Sequence, residues 1–128
     1  MSIIPKDKSD LDAIRSLDEL TNSELQPFLS DLLEWVQDIN WPVAAPIAKR
    51  LTICGDELVE PLRSILVSDD AVWKYWVLSS IILESSVSVR EKLKDEIEQL
   101  AMSPTEIEKN EGVDFAARKI MNLGGRGI

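Results

Sequence analysis

The segment 69–83 restricts the possible folds of this chain more than any other stretch. It opens with two aspartates, contains neither glycine nor proline, and is interrupted by polar side chains at Lys74, Ser79 and Ser80. With about 100° between successive side chains of a helix, its apolar residues point in nearly every direction. Because a helix that is apolar on all sides has to be buried, we expect one central helix surrounded by others.

Apolar residues at helical spacing predict helices on both sides of this segment. Leu25, Leu29, Leu32 and Val36 form one stripe, for example, while the opposite helix face is polar. The predicted helices span residues 10–20, 24–39, 42–54, 57–67, 69–83, 89–102 and 113–122. No alternating segment bounded by turn residues is present, so the expected fold class is all-α.

The chain length predicts one domain that covers residues 1–128. We expect an extended lead-in at about residues 1–9 and a flexible, glycine-rich tail at about 123–128. The lead-in lacks the apolar core of a secretory signal, and no uncharged apolar run reaches the roughly 18 residues of a membrane-spanning helix. The expected location is therefore the cytoplasm.

Two parts of the chain repeat each other. Residues 25–32 align with residues 59–66 and share a proline, the apolar residue after it and a serine. Residues 40–43 then align with residues 69–72. Repetition of this kind is typical of stacked two-helix units.

The layout of these units resembles HEAT-type repeats. The likeness consists of a proline in the first helix, an acidic turn, and a second helix in which valine is followed by alanines. It is closest at residues 38–51 and extends loosely over 25–121, although the second unit carries large aromatic residues where small ones are usual. The resemblance implies a right-handed α-α superhelix of about three helical hairpins, preceded by a short N-terminal cap helix. The third hairpin is the loosest, with helices at 89–102 and 113–122.

A more specific resemblance rests on three stretches. They are Ile-Pro-Lys-Asp-Lys at 4–8 with Asp-Leu at 10–11, the tryptophan-containing segment 33–43, and the start of the central helix at 68–76. Together they are similar to a family of short bacterial proteins described as a domain of unknown function with HEAT-like helices. The resemblance covers nearly the whole chain and implies the helical fold. It brings no activity or catalytic residue with it.

The charge balance argues against nucleic acid and membranes as partners. The chain has 14 basic and 23 acidic residues, which gives a net charge of −9. Such a chain repels phosphate groups unless its basic residues cluster, and the adjacent basic pairs are only Lys49 with Arg50 and Arg118 with Lys119. We therefore expect a protein partner, while the sequence leaves the oligomeric state open.

Side chains that usually carry catalysis are scarce. The chain has no histidine, and its one cysteine, Cys54, lies at a predicted helix end where a thiolate is not stabilised. Asp31, Glu34 and Asp38 share a helix face but lack the rigid loop that a calcium site uses. We predict a protein that is not an enzyme, with no catalytic residue, no cofactor and no metal.

Large aromatic residues are concentrated in the middle of the chain, at Trp35, Trp41, Trp73, Tyr75 and Trp76. They either fill space between helices whose neighbours are rich in alanine, or line a groove that holds a peptide, a sugar or a planar ligand. Trp41 stands at a predicted helix start, at the mouth between two helices. It is the strongest candidate for partial exposure.

Acidic residues are concentrated between positions 10 and 38, where eight carboxylates accompany a single basic residue, Arg15. Such a surface attracts a basic partner and speeds its association, although acids also occur on ordinary solvated helix faces. Small size and acidity are typical of immunity-type inhibitors that sequester a basic toxin or enzyme.

Two functional hypotheses are compatible with these patterns. The first is a non-catalytic interaction module with an acidic surface that binds a basic protein partner, and the second is a small-ligand or enzymatic pocket built around the tryptophans. The candidate partner-binding residues are Trp35, Trp41, Asp31, Glu34, Asp38, Trp73 and Tyr75. A concave acidic face with buried tryptophans favours the first hypothesis. An enclosed cavity lined by Trp41, Trp73 or Tyr75 with convergent carboxylates favours the second.

Overall fold

The regular elements of the structure are helices throughout the described part of the chain, as the apolar periodicity predicts. This computed structural model describes the backbone of residues 4–126 and the side chains of residues 4–123. The α-helices are α1 (Leu11–Leu17), α2 (Asn22–Leu25), α3 (Leu29–Glu34), α4 (Ala44–Leu51), α5 (Val59–Leu66), α6 (Ala71–Ser80), α7 (Val87–Lys92), α8 (Lys94–Met102), α9 (Glu106–Asn110) and α10 (Val113–Arg126). Short 3₁₀ segments are Gln26–Phe28, Gly55–Leu58 and Ile82–Glu84.

Helix α6 is the central helix that the apolar segment predicts. Its N-cap is Asp70, whose carboxylate accepts a hydrogen bond from the Trp73 backbone N–H at 3.0 Å. The helix contacts α4, α5, α9 and α10, although Val72 on its first turn is exposed. It ends earlier than predicted, where the Ser80 hydroxyl donates to the Trp76 carbonyl and so competes with the helix ladder.

The second predicted helix is wrong as one continuous element. It divides into α2, a 3₁₀ turn around Pro27 and α3, because proline has no N–H to continue the ladder. After α3 the chain tightens, and the N–H groups of Trp35 and Val36 donate to carbonyls three residues earlier. The Asp38 carboxylate then accepts from the Asn40 N–H at 2.9 Å, which favours a turn over more helix.

The next two helices keep their predicted order with shifted ends. Helix α4 begins at Ala44, so Pro46 lies in its first turn, where the missing N–H costs least. Gly55 has φ +75°, the left-handed conformation that glycine adopts after a helix end. It opens a 3₁₀ segment that precedes α5, so α5 starts later than predicted.

The C-terminal third contains one more break than predicted and a longer last helix. Leu93 separates α7 from α8, and α10 continues to Arg126 instead of ending near residue 122. The turn between α9 and α10 is made by Gly112, with φ +79°, and a Cβ added there would lie 3.4 Å from Cε1 of Tyr75. Residues 1–3 of the predicted lead-in and 127–128 of the predicted tail lie outside the described residues.

The core is one continuous apolar cluster with contributions from every α-helix except α9. Its largest fully buried side chains are Leu17, Leu25, Leu29, Leu32, Leu33, Ile47, Leu51, Leu58, Leu62, Leu78, Ile81 and Ile82. Each of them stabilises the fold by on the order of 1.5–3 kcal/mol relative to exposure. Between residues 4 and 126, no helix has the length and apolar content needed to cross a lipid bilayer.

Candidate functional site

A cleft beside α3 brings together four of the candidate residues. It has a volume of about 290 Å³. Its walls are formed by Ile4, Asp31, Glu34, Trp35, Gln37 and Trp41. The two tryptophans are half-buried and the two acids are exposed, so an acidic rim borders an aromatic wall. We call this site the acidic aromatic cleft.

Local structure explains why these four residues meet. Asp31 and Glu34 lie three residues apart on α3, a spacing that puts both side chains on the same helix face. The chain turns directly after α3 and brings Trp35 close to Trp41. Their ring centroids are 5.8 Å apart and their planes meet at 68°, which is an edge-to-face arrangement.

Ile4 and Gln37 also line the cleft but were not candidates from the sequence. Gln37 lies in the turn between the two tryptophans, so its position in that segment was an available signal. Ile4 lies in the lead-in. A hydrogen bond of 3.1 Å from the Val43 N–H to the Lys8 carbonyl connects the lead-in to the start of α4. No local pattern encodes that long-range contact.

The polar groups of the cleft are not committed to internal partners. Among the residues that the structure describes, the side-chain carboxylates of Asp31 and Glu34 have no hydrogen bond and no ion pair. The indole N–H groups of Trp35 and Trp41 likewise have no acceptor within residues 4–126. Tryptophan N–H groups usually find a partner when they are buried. Because these two have no acceptor among the described residues, they remain available to solvent or to a ligand.

The other three candidate residues lie outside the cleft and serve the fold. Trp73 packs on the core and donates its Nε1–H to the Leu33 carbonyl at 3.0 Å. Tyr75 packs edge-to-face on Trp76 with ring centroids 4.9 Å apart. The Asp38 carboxylate is used in the turn after α3.

The described part of the chain holds no group of three or more cysteine, aspartate or glutamate residues placed to bind a metal ion.

A family model described as a domain of unknown function (DUF5071) matches residues 3–121. The chain belongs to the DUF5071 family. The expected membership in a family of unknown function is thereby confirmed, and the matched range includes every wall residue of the acidic aromatic cleft. No curated protein matches this chain.

The DUF5071 domain has a second cavity, of about 340 Å³, between α1 and α4. The guanidinium group of Arg50 at this cavity is already engaged. It donates to the carbonyls of Leu17 at 3.1 Å and Leu20 at 2.8 Å, and to the side-chain oxygen of Asn22 at 3.0 Å. Arg50 therefore holds the first two helices of the domain against α4.

A buried ion pair joins α6 to α9. The Nζ of Lys74 lies 2.6 Å from Oε2 of Glu108, and the two residues are 5% and 7% exposed. The sequence indicates Lys74 as a polar gap in the central helix and gives no sign of its partner. Burial raises the pKa of Glu108, but hydrogen bonds from Lys74 and from the Thr105 backbone outweigh it, so the pKa lies below its ordinary value.

Cys54, directly before Gly55, is buried. Burial raises the pKa of its thiol, although the positive charge of Arg50 opposes the effect. The thiol is therefore protonated at neutral pH and is a poor nucleophile.

Proposed function

We propose that this protein is a non-catalytic interaction module that binds a basic protein partner through the acidic aromatic cleft. The observation that carries the proposal is the set of unused polar groups there, two carboxylates and two indole N–H groups without a partner among the described residues. Unused acceptors beside aromatic surface suit a partner that offers positive charge and apolar contact.

The charge of the chain supports the same partner. Eight of the 23 acidic residues fall between positions 10 and 38, the region that also supplies both carboxylates of the cleft. A field of one sign attracts an oppositely charged protein and raises its association rate, most strongly at low ionic strength. The cleft is thus the short-range part of a larger acidic surface.

The architecture we propose is a HEAT-like, right-handed stack of three helical hairpins, formed by α3 with α4, α5 with α6, and α8 with α10. Contacts within each pair support it, and so do contacts of α6 with both α4 and α10 and of α5 with α8. Helix α1, which contacts α4, is then the N-terminal cap. In this arrangement the acidic aromatic cleft lies on the first hairpin.

Within this proposal the protein is an immunity-type inhibitor that acts in the bacterial cytoplasm by covering a basic surface of a toxin or enzyme. A non-catalytic role is supported by the lack of histidine in the sequence and by the raised pKa of the Cys54 thiol. Binding alone is sufficient for inhibition of this kind.

The alternative of a small-ligand or enzymatic pocket has less support. The cleft volume of about 290 Å³ is at the lower limit of ligand pockets, which span roughly 300–1,000 Å³. Of the three aromatic residues that this hypothesis offers as cavity lining, Trp41 lines the cleft, while Trp73 and Tyr75 pack elsewhere. The acids of the cleft lie exposed at its rim.

The test is capture of the partner from the native host with immobilised protein. The variant Asp31→Lys/Glu34→Lys reverses the charge of the cleft, and the control Asp95→Lys/Glu98→Lys makes the same change on α8, at two exposed acids with the same spacing. We expect a captured protein of positive net charge, bound at least about tenfold more weakly by the cleft variant, because losing one partner of an interfacial charge pair costs about 2–5 kcal/mol.

Equal losses in both double variants would mean that only total charge matters, and would overturn the role of the cleft. A captured partner of negative net charge, or binding that neither variant weakens, would overturn the proposed function as a whole.

A further inference from the structure

We propose that the acidic aromatic cleft binds one arginine side chain, whose guanidinium group lies in the corner between the indole rings of Trp35 and Trp41, stacked on one of them with its edge toward the other, and donates hydrogen bonds to Asp31 and Glu34. This inference rests on the proposed function, because it identifies the group of the basic partner that enters the cleft.

The two carboxylates of the cleft create a site that lacks a cation. Asp31 and Glu34 are like charges at a spacing of three residues, a combination that destabilises a helix. The same spacing joins opposite charges in Asp12 and Arg15, whose charged atoms lie 3.6 Å apart. The like-charged pair Asp95 and Glu98 on α8 has this spacing too, but it is not part of the cleft and has no place in its aromatic wall. A cation bound between Asp31 and Glu34 removes their repulsion and supplies the missing donors.

The aromatic wall selects a flat cation. The rings of Trp35 and Trp41 meet at 68°, and both residues are half-buried, so the pair forms a fixed corner with indole surface open to the cleft. A guanidinium group stacks on an aromatic face and keeps its N–H donors in its own plane, where they point to acceptors at the rim.

Other cations fit this chemistry less well. The lysine ammonium is a strongly hydrated point charge that offers no plane for stacking. Divalent metal ions take about six oxygen ligands, whereas the cleft offers two carboxylates. The described residues also hold no cluster of three or more metal-ligating side chains.

The indole N–H groups of the four tryptophans provide the measurement. In nuclear magnetic resonance spectra they give separate signals, which single substitutions assign. N-acetyl-arginine amide is the ligand, N-acetyl-lysine amide tests the shape of the cation, and N-acetyl-citrulline amide is a neutral analogue with nearly the same shape as arginine. The Trp73 signal is an internal control, because its N–H already donates to the Leu33 carbonyl.

We expect the arginine derivative to shift the signals of Trp35 and Trp41 and to leave that of Trp73 in place. The lysine derivative should bind at least about fivefold more weakly, and the citrulline derivative at least about tenfold more weakly, the factor that corresponds to about 1.4 kcal/mol of cation–π and ionic attraction.

Substitutions separate the two parts of the site. Trp41→Ala should weaken arginine binding about tenfold while Trp41→Phe, which keeps an aromatic face, retains most of it. Asp31→Asn/Glu34→Gln removes the charges without a change of size and should reduce the preference over citrulline to the part that cation–π attraction supplies. Circular dichroism spectra and melting temperatures show whether each variant is folded. If Trp41→Ala does not fold, Trp41→Phe keeps the test valid.

Equal binding of the arginine and lysine derivatives would overturn the guanidinium assignment and leave a basic partner in place. Equal binding of citrulline, or shifts confined to Trp73 and Trp76, would overturn a cation site in the cleft. Absence of any shift overturns this inference alone, because capture by the charge-reversed variants decides independently whether the cleft binds a basic protein.

Discussion

At the scale of single residues, the ion pair between Lys74 and Glu108 is the contact whose loss should cost the most. The change Glu108→Gln keeps an acceptor for the Thr105 N–H, so the capping box at the start of α9 survives. It leaves the buried ammonium of Lys74 without its counter-charge. We expect a loss of about 3 kcal/mol in the free energy of unfolding, measured by urea denaturation at pH 7.

The matched control is the double variant Lys74→Met/Glu108→Gln, which removes both charges and should recover much of the loss in the free energy of unfolding.

The pH dependence of stability follows from the lowered pKa of Glu108. Because the pKa of Glu108 is lowered in the folded state, its ionised form stabilises the fold at pH values above 4.5, the ordinary pKa of glutamate. This stability is lost as the pH falls through the pKa that Glu108 has in the folded protein. The difference between wild type and Glu108→Gln should therefore be full at pH 7 and should close in acid; a difference independent of pH would contradict the assignment.

The cleft shows which residue-scale properties the sequence encodes. Asp31, Glu34 and Trp35 follow closely in one segment, so their proximity could be predicted from helix geometry and a nearby turn. Which aromatic residues line the cleft and which pack against the core could not be predicted. Trp73 is structural because its N–H meets a carbonyl 40 positions away, and Tyr75 because it packs on Trp76. Such contacts depend on how helices dock, which composition does not specify.

At the scale of elements, the start of the central helix should depend on one of its two aspartates. Asp70 accepts a hydrogen bond from the Trp73 N–H, while Asp69 has no partner among the described residues. We expect Asp70→Ala to lower the free energy of unfolding by about 1 kcal/mol and Asp69→Ala to lower it by less than about half that. Both variants lose one negative charge, so thermal or urea denaturation isolates the cap. Equal losses would show that the helix dipole, and not the hydrogen bond, is responsible.

Helix existence was easier to predict than helix boundaries. The apolar stripes located the central helix and the all-α class because buried faces leave a periodic trace in the sequence. The boundaries depend on single hydrogen bonds that compete with the helix ladder, such as those of Asp38 and Ser80. The proline at position 27 is visible in the sequence, but the apolar stripe on both sides of it predicts one helix over 24–39, and the 3₁₀ segment between two short helices was not predicted.

At the scale of the whole molecule, the net charge of −9 should make the fold sensitive to ionic strength. Self-repulsion destabilises a compact chain, and salt shortens its range from roughly 30 Å at 0.01 M to about 8 Å at 0.15 M. If screening relieves about 0.5–1 kcal/mol, the melting temperature should rise by a few degrees for a domain of this size. Sodium and potassium chloride should act equally, and a fall in melting temperature with salt would show that attractive ion pairs dominate instead.

Long-range organisation was the part of the fold least accessible from the sequence. The lead-in reaches the cleft through the hydrogen bond between Val43 and Lys8, and Arg50 holds α1 and α2 through three acceptors. Both arrangements use ordinary residues without a distinctive spacing. They emerge only when the helices are assembled.

The turn at Gly112 restricts one position in evolutionary terms. Its left-handed backbone conformation, with φ +79°, suits glycine, whereas a Cβ there would meet the ring of Tyr75 only at ordinary contact distances of 3.4 and 3.6 Å. A lineage that replaces this glycine therefore meets a backbone obstacle that no change of the ring at position 75 removes. Across the DUF5071 family, we expect glycine at position 112 to be retained even where the residue at position 75 is not aromatic.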